Sequence, residues 1–462
     1  MIFCDLRRLQ RWLDVEAALA TSQATLGIIP LSAAEELSQT SQLDLLDLKE
    51  IKSSINSTGH SLAPLLSAWQ KATSPESASY IHFGVSTQDI QDTAQSLEIK
   101  EVISIIERDL FLIIKELISL ARRTRTLVIV GRSHGQHALP TTLGLKFAVW
   151  LDEMIRSGER FKECRKRVLV SQLFGGVGTM GAFRCQSLDL LTEFSKRLKL
   201  SAPLTAWHTS RDRIAELLSN MAILAGGLGK IANEIWQLAR NEICELEEPL
   251  YLDKVGPSPG AYKHYPELCE QVVVLSNLIR NQANAAFDGL INEHERDYRA
   301  VRLEWVSIPE SSILLCRAMG LIKSILRNLV IHEEHMAENL GRRTYPASPD
   351  ALMREKTDSP GIQKTNQLLY DLVMRAYAAN RPLQEMLEEY PEITSQLSAH
   401  ELAELLEPAK HIGLAPKITE QTIISAEEWL AHHLPGNLSE HICPLADKNG
   451  ECTISIADGL IT

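Results

Sequence analysis

Apolar residues recur every three or four positions over long stretches of this 462-residue chain. This spacing is typical of amphipathic α-helices, and almost nowhere does the sequence alternate convincingly between apolar and polar residues, as a strand would. Helices of this length pack side by side as bundles. The sequence therefore predicts an all-α fold with a central bundle of long helices. The predicted helical stretches are residues 5–27, 32–73, 90–124, 143–167, 213–247 and 267–340.

The chain is long enough to form several domains with a large core. We expect three helical domains, with an N-terminal domain at 1–103, the central bundle at 104–332 and a C-terminal domain at 333–462. Helices this long carry more apolar surface than one copy can cover. An oligomer follows, and we expect four copies to pair their bundles into a homotetramer with sites shared between subunits.

Charge and cysteine usage exclude several classes of protein. The net charge of −12 argues against wholesale binding of nucleic acid. We find no run that predicts a membrane span and no signal peptide after Met1, so we expect a cytoplasmic protein without a membrane partner. The eight cysteines are scattered without zinc-ligand or redox spacing. We therefore expect reduced thiols, no metal and no cofactor.

The helical pattern breaks first at residues 74–89, which contain His82 and the hydroxyls of Ser86 and Thr87. Two hydroxyls before an Asp suit a helix N-terminus, where free backbone N–H groups bind an anion. Simple N-capping of the following helix explains the same residues, and the two interpretations are compatible.

A second break, at residues 131–142, contains His134, Gln136 and His137. One histidine alone is more often structural than catalytic, but two in a short Gly-containing break are a better signal. A metal site is disfavoured, since no acidic or Cys partner is near in sequence. The glycine-rich patch at 175–181 lacks a preceding strand or a Walker lysine, so a turn between helices explains it best.

The third break, at residues 255–266, holds two glycines and three prolines and therefore cannot continue a helix. It carries Ser258 and Lys263, so it suits a mobile lid whose amine holds a carboxylate and whose hydroxyl moves a proton. For the loop taken alone, an ordinary connection between helices with solvated polar residues is the favoured interpretation.

Together these stretches resemble the fumarase/aspartase superfamily, which includes adenylosuccinate and argininosuccinate lyases. The resemblance covers nearly the whole chain and is strongest to the bacterial 3-carboxy-cis,cis-muconate cycloisomerase branch. It is carried by Leu-Asp-Val-Glu-Ala-Ala-Leu-Ala at 13–20, by His-Phe-Gly through Asp-Thr-Ala at 82–94, by Gly-Arg-Ser-His-Gly-Gln-His at 131–137, by Trp-His-Thr through Arg at 207–213, by Leu-Glu-Trp at 303–305 and by Leu-Leu-Glu-Pro through Ala-Pro at 405–416.

The resemblance implies an enzyme that removes a proton next to a carboxylate and breaks, or in reverse forms, a C–N or C–O bond at the β carbon. Lys263 and the helix start at Ser86 and Thr87 would stabilise the doubly charged carboxylate, since electrostatic stabilisation is usually the largest contribution. His134 would be the acid, with Glu270 as its carboxylate partner. The implied substrate-binding residues are His60, His82, Ser86, Thr87, Gln136, His208, Tyr262 and Tyr265, of which His60 and His82 are equally well explained as structural histidines.

The third signature region departs from the family pattern, because Pro257 stands where the family has its base serine. Proline has no ionisable group, so another acceptor must take the proton. Ser258 is the nearest replacement, with Tyr262 or Tyr265 next. His264 competes because it needs no large pKa shift near neutral pH.

The substrate predicted from the resemblance is a small non-nucleotide carboxylate. Val301 and Trp305 occupy the positions at which adenylosuccinate lyases place a phosphate-binding Ser and Arg. Two alternatives remain open: an enzyme of specialised metabolism with different proton-transfer chemistry, and a family member without activity. The retained His134, Lys263 and Glu270 favour an active enzyme.

Overall fold

The computed structural model describes residues 2–249, 265–341, 362–379, 381, 383–394 and 398–433. Most of the glycine- and proline-containing loop at 255–266 lies outside these residues. Ser258, Tyr262 and Lys263, together with the rival base His264, are therefore sequence predictions only.

The described part of the chain is mainly helical, as predicted. The N-terminal helices are α1 (Asp5–Thr25), α2 (Leu31–Thr40), α3 (Leu48–Thr58), α4 (Ala63–Lys71) and α5 (Pro75–Ala78). The central helices are α6 (Thr87–Arg123), α7 (Leu143–Val168), α8 (Ser187–Leu198), α9 (Asp212–Leu238), α10 (Glu267–Asp288) and α11 (Arg299–Arg327). The C-terminal helices are α12 (Glu333–Gly341), α13 (Ile362–Ala379), α14 (Leu383–Glu388), α15 (Pro391–Thr394), α16 (Ala399–Leu405) and α17 (Ala415–His432). Short 3-10 turns occur at Leu43–Leu45, Arg184–Gln186 and Pro408–His411.

The central bundle is built by α6, α7, α9, α10 and α11, which pack on one another along one large apolar core. Helix α17 returns from the C-terminal part and packs on α6 and α7, and its Ile423 and Ala426 join this core. Gly158 of α7 permits that approach, because a Cβ there would lie 2.3 Å from the ring of Trp429. A glycine is thus required where α17 crosses the bundle.

A second apolar core lies around α1, where Trp12, Leu13 and Trp69 are almost fully buried. Helix α6 joins both cores: Ile90 and Ala94 pack into the second core, and residues from Ile99 onward pack into the first. Since α6 runs through the predicted boundary at 103, one continuous helix connects the N-terminal part to the bundle. The predicted three-domain division stays a prediction.

The region predicted as helical at 32–73 is interrupted by turns. Asp47 caps α3 by accepting from the backbone N–H groups of Lys49 and Glu50, and Gly59 ends it with φ +67°. Helix α9 also ends earlier than predicted, at Leu238 rather than near Glu247. In both places capping and turn residues override an apolar period that looks continuous in the sequence.

The described residues contain few strands, as expected, but these include one hairpin that the sequence pattern did not indicate. Residues Val128–Ser133 (β1) and Gln136–Thr142 (β2) form an antiparallel hairpin, with Ser133 opposite Gln136. A smaller pair joins Leu246–Glu247 (β3) to Val330–Ile331 (β4). The hairpin is short and carries a bulge between Val130 and Arg132, so its alternation was too brief to detect by periodicity.

The expectation of no membrane-length run also needs correction. Helices α9 and α11 are long and apolar enough to cross a membrane by length and composition alone. Within the fold, 61% and 50% of their most apolar windows are buried. Part of their apolar surface packs in the bundle core, as in the core helices of many soluble proteins.

Candidate active site

His134 lies at the tip of the β1–β2 hairpin. His134 and Gly135 are the two turn residues, with φ +52° and +77°. Two consecutive positive φ values define the tight turn that matches the twist of a hairpin, and histidine tolerates this conformation better than most side chains. Residues 133–136, called the hairpin tip below, are all exposed. The fold thus presents His134 and Gln136 outward.

The strand next to the hairpin tip is held by an ion pair to a buried carboxylate. Arg132 donates to both carboxylate oxygens of Glu245, at 2.8 Å each, and Glu245 is completely buried. Asn339 of α12 donates to the same carboxylate at 3.0 Å. Bidentate arginine–carboxylate pairs fix geometry as well as charge. This network ties the hairpin to the segment that leads into the 255–266 loop.

Glu270 and Tyr265 lie at the start of α10, and both are exposed. Glu270 accepts a hydrogen bond from the indole N–H of Trp236 at 3.2 Å. Its predicted pairing with His134 is absent from the described hydrogen bonds of this chain. Glu248 caps α10 by accepting from the N–H groups of Leu268 and Cys269, at 3.0 and 2.9 Å.

At the other end of the bundle, His82 has φ +59° and its Nδ1 lies 2.6 Å from Oε1 of Glu16. Burial lowers the pKa of His82, but the hydrogen bond and the charge of Glu16, with the charge of Asp89, outweigh burial and raise it above its ordinary value. His82 is therefore held in an environment that favours its charged form. We call Glu16, His82, Ser86, Asp89 and His208 the turn cluster.

Ser86 is the N-cap of α6, as the capping interpretation predicted. Its N–H and its hydroxyl both donate to Asp89, at 2.9 and 3.1 Å. The buried Asp89 carboxylate also accepts from the backbone N–H groups of Phe174 and Gly175, at 2.8 and 2.9 Å. The helix start is thus already neutralised by a carboxylate of the same chain. Thr87 is half-buried beside it, and anion binding there stays a prediction.

His208 is buried beneath this helix start, with 1% of its surface exposed. Its Nε2 lies 3.4 Å from Oδ1 of Asp89, and neither ring nitrogen makes a hydrogen bond among the described residues. This position places His208 behind Asp89 rather than on an open surface. Its predicted role in substrate binding stays a prediction.

A buried ion cluster that the sequence pattern did not indicate lies around Arg211. Arg211 donates to both oxygens of Asp92, at 2.9 and 3.0 Å, and to both oxygens of Glu304, at 2.6 Å for the Nε contact. Its guanidinium stacks 4.6 Å from the ring centroid of Trp207. Burial lowers the pKa of Arg211, but the two carboxylates outweigh burial and raise it. Arg211 lies within the recognised 207–213 motif, but nothing in that motif names its two partners.

Two further placements refine the predictions for this end. His60 is exposed, and its Nδ1 accepts from the N–H of Ala63 at 3.0 Å, so it caps the start of α4. The glycine-rich patch, interpreted as a turn, lies against the start of α6: Ser86 donates to Gly175 O at 3.3 Å, and Arg296 reaches Gly176 O at 3.4 Å. Only the tertiary structure brings this patch to the turn cluster.

The predicted site residues therefore fall at opposite ends of the bundle. Helix α6 has 37 residues, which is about 55 Å at 1.5 Å per residue. The turn cluster lies at its first residue, and β1 begins shortly after its last. Within one chain the two groups do not meet. One group contains His82, Ser86, Thr87 and His208, and the other contains His134, Gln136, Tyr265 and Glu270. Among the described residues, no group of three or more His, Cys, Asp or Glu could hold a metal ion.

This fold is shared by a family of helical lyases and cycloisomerases. The family model described as Lyase matches residues 1–276, which is more than half of the chain, and the chain belongs to that family. The resemblance to the fumarase/aspartase superfamily is confirmed by its relatives and by its structural neighbours.

The relatives include enzymes whose names indicate different substrates. The chain is 35% identical to N-acetyl-S-(2-succino)cysteine lyase of Dickeya dadantii over 92% of this chain and 94% of the relative. It is 34% identical to adenylosuccinate lyase of Methanothermobacter thermautotrophicus, over 92% and 95%. Among solved structures, 3-carboxy-cis,cis-muconate lactonizing enzyme of Pseudomonas putida superposes with a TM-score of 0.85 at 29% identity, covering 93% of this chain and 96% of that chain.

Proposed function

We propose that this protein is a lyase that cleaves a succinyl adduct of a small, non-nucleotide compound and releases fumarate. The observation that carries this proposal is its full-length similarity to two lyases whose names both contain a succinyl group, one on sulfur and one on a purine amine. The shared part of those substrates is the dicarboxylate. We infer that the leaving group is what differs in this protein.

His134 is proposed as the acid that protonates the leaving group. A proton donor must come within hydrogen-bond reach of the atom that it protonates, and an exposed hairpin tip can approach a substrate bound elsewhere. The ion pair between Arg132 and Glu245 supports this role, since it limits motion at the base of the tip. Glu270, at the start of α10, is proposed to act on His134 of the assembled site.

Lys263 and Ser258 are proposed as the carboxylate-binding cation and the base. Removing a proton next to a carboxylate places two negative charges on one group, so a nearby ammonium stabilises the transition state. Pro257 excludes the family's usual base position, and Ser258 is its neighbour. These assignments rest on sequence, and Tyr262, Tyr265 and His264 compete for the role of the base.

We further propose that the site is completed by another copy of this chain in a homotetramer. The two groups of site residues lie about a helix length apart in one chain, so an antiparallel second copy could bring one group to the other. Exposed apolar residues support such packing. They follow α9, α10 and α11 and include Ile223, Val274, Leu278, Val306 and Ile313, with 45–59% of each residue exposed.

The test of function is product formation by the full-length protein. The purified protein is incubated separately with N-acetyl-S-(2-succino)cysteine, adenylosuccinate and 3-carboxy-cis,cis-muconate, and the loss of each substrate and the formation of fumarate are followed by proton NMR. We expect fumarate from the thioether and little from the nucleotide, because Val301 and Trp305 lack phosphate-binding groups. Turnover of the muconate alone would contradict the proposal and favour a cycloisomerase.

The effect of replacing His134 should differ between a thioether substrate and an amine substrate. A thiol has a pKa of about 8.5, so sulfur can leave as a thiolate, whereas nitrogen must be protonated to leave because its anion is far more basic. Replacing His134 by Asn should therefore slow an amine adduct more than a thioether. Equal losses on both substrates would remove His134 from the role of leaving-group acid.

A further inference from the structure

The turn that carries His82 is anchored by two buried polar residues on one face of α1. Glu16 and Gln23 lie seven residues apart, which is two helical turns. Their exposed fractions are 2% and 0%. Glu16 meets the ring of His82, and Gln23 Nε2 donates to the backbone oxygen of Phe83 at 2.9 Å. One anchor therefore holds the side chain and the other holds the backbone.

The turn is also fixed from the opposite side. Gly84 has φ +77°, and a Cβ there would lie 2.4 Å from the ring of Phe183. Phe83 packs edge-on against the same ring, with centroids 6.3 Å apart. His82 itself has a positive φ, which most side chains avoid. The backbone is thus held tightly without any contribution from the histidine ring.

The contact between His82 and Glu16 therefore requires its own explanation. A carboxylate is costly to bury unless it is paired, and Glu16 is almost fully buried while the His82 side chain is 23% exposed. With Nδ1 directed at Glu16, the ring directs Nε2 elsewhere, since the two nitrogens lie on opposite sides of the imidazole. Among the described residues, Nε2 has no hydrogen-bond partner.

The charges that face His82 come from two helices. Glu16 belongs to α1, and Asp89 belongs to the first turn of α6. Asp89 is itself held by three backbone N–H groups and approached by His208. Glu16 is thus the carboxylate in direct contact with the imidazole.

We propose that Glu16 is a positioning residue that keeps His82 charged and directs its Nε2–H toward a carboxylate group of the substrate. This inference rests on the proposed function for the identity of the ligand, a dicarboxylate. His82 then supplies a fixed cation at the turn cluster, and no covalent step is involved. Glu16 acts on binding through His82 and does not touch the substrate.

The test compares two buried residues of the same helix. Glu16→Gln removes the charge and keeps the shape, whereas Gln23→Met removes the backbone anchor and leaves His82 alone. Carbon-13 histidine NMR on the full-length protein, with the His82 signal assigned by its loss in His82→Asn, reports the pKa of His82 without any substrate. We expect Glu16→Gln to lower that pKa and Gln23→Met to leave it unchanged.

Succinate serves as the binding probe. We expect wild-type protein to show a shift of the His82 signal on succinate addition, and Glu16→Gln to bind succinate about tenfold more weakly, as for a lost charged hydrogen bond. If the lyase reaction is present, KM should rise more than kcat falls, and the alkaline limit of kcat/KM should move to lower pH. Glu16→Asp should restore part of each effect.

Three outcomes would overturn the inference. The pKa of His82 could be unchanged in Glu16→Gln, succinate could leave the His82 signal unmoved in the wild type, or Gln23→Met could weaken succinate binding as much as Glu16→Gln. If Glu16→Gln does not fold, Glu16→Asp is used instead, because its shorter side chain draws the carboxylate away from the imidazole; a His82 pKa equal to that of the wild type would then overturn the inference. Failure of the lyase assay alone would reject the proposed function and leave the NMR result standing.

Discussion

The turn cluster and the hairpin tip use the same backbone device in opposite ways. His82 and His134 both have positive φ, +59° and +52°, and a glycine with φ +77° follows each within two residues. At the turn cluster the ring is paired with a buried carboxylate of its own chain. At the hairpin tip the ring is exposed, and no described residue bonds to it.

The environment of His82 is therefore complete within one chain, whereas that of His134 is open to solvent. The turn cluster is surrounded by partners from α1, α6 and the 174–183 segment, so its charges are set by one copy of the chain. The hairpin tip is held by the ion pair of the adjacent Arg132 with Glu245, and its own residues are exposed. A tip of this kind is suited to complete a site formed elsewhere, such as the turn cluster of a second copy.

The largest effect on stability is expected from unpairing the buried charges beside the turn cluster. Replacing Arg211 by Met leaves Asp92 and Glu304 buried without their cation. We expect a loss of about 3–5 kcal/mol in the free energy of unfolding. The measurement is the urea midpoint at fixed protein concentration.

Arg327 provides the control for this change, because its side chain is 67% exposed in an ion pair with Glu116. Surface pairs contribute little to stability, so Arg327→Met should barely move the midpoint. Equal effects of the two substitutions would show that burial does not set the importance of Arg211.

The second prediction concerns the hairpin tip. His134→Asn should reduce turnover by roughly 10²-fold for a leaving group that must be protonated, as for loss of a general acid, while stability changes little because asparagine also tolerates positive φ. Turnover of the true substrate and the thermal midpoint are measured together. His294→Asn, at another exposed histidine with φ +55°, is the matched control for stability.

Wild-type turnover in His134→Asn would remove the hairpin tip from the chemistry. The tip would then be a surface feature rather than part of a site, and the contrast with the turn cluster would lose its functional meaning.

The third prediction tests whether the ion pair between Arg132 and Glu245 limits the motion of the adjacent hairpin tip. Arg132→Met leaves Glu245 buried with Asn339 as a remaining partner, so we expect a loss of about 1–3 kcal/mol. Amide hydrogen exchange should accelerate in β1 and β2 and stay unchanged at the turn cluster. Uniform acceleration over the whole chain would instead indicate that the ion pair supports global stability.

The smallest expected effect is a pH dependence at the turn cluster. The folded pKa of His82 is raised, so its pairing with Glu16 contributes stability below the unfolded pKa of about 6.5, and that contribution is lost as pH rises through the folded pKa. The stability gap between wild type and Glu16→Gln should therefore be larger at pH ~5.5 than at pH ~8.5. Urea midpoints at the two pH values measure it, and a gap that widens toward alkaline pH would contradict this sign.

The oligomeric state in solution also tests the proposal that the site is shared between copies. Light scattering that shows a stable monomer at micromolar concentration would contradict both the homotetramer and the joining of the two regions. The turn cluster would then keep its geometry, but the hairpin tip would have no partner to complete.

Much of the fold could be predicted from local pattern. The starts of α1 and α7 agree with the predicted stretches at the same residues, and α6 begins three residues earlier than its predicted start. The capping of α6 by Ser86 was predicted from neighbouring hydroxyls before an Asp. The β1–β2 hairpin was missed because its two strands are short and interrupted by a bulge, so no alternating period develops.

The amino-acid sequence by itself determined most of the long helices, the breaks before α6 and α7, and the family to which the chain belongs, because helical period and capping depend on residues a few positions apart. Only the tertiary structure decided that Glu16 meets His82, that Arg211 joins Asp92 to Glu304, and which side chains surround His82 and His134. Those partners are separated by 66 to 119 residues for the first two pairings. The sequence contains many polar residues that can form ion pairs or hydrogen bonds with one another, and the packing of the helices decides which of these pairs form.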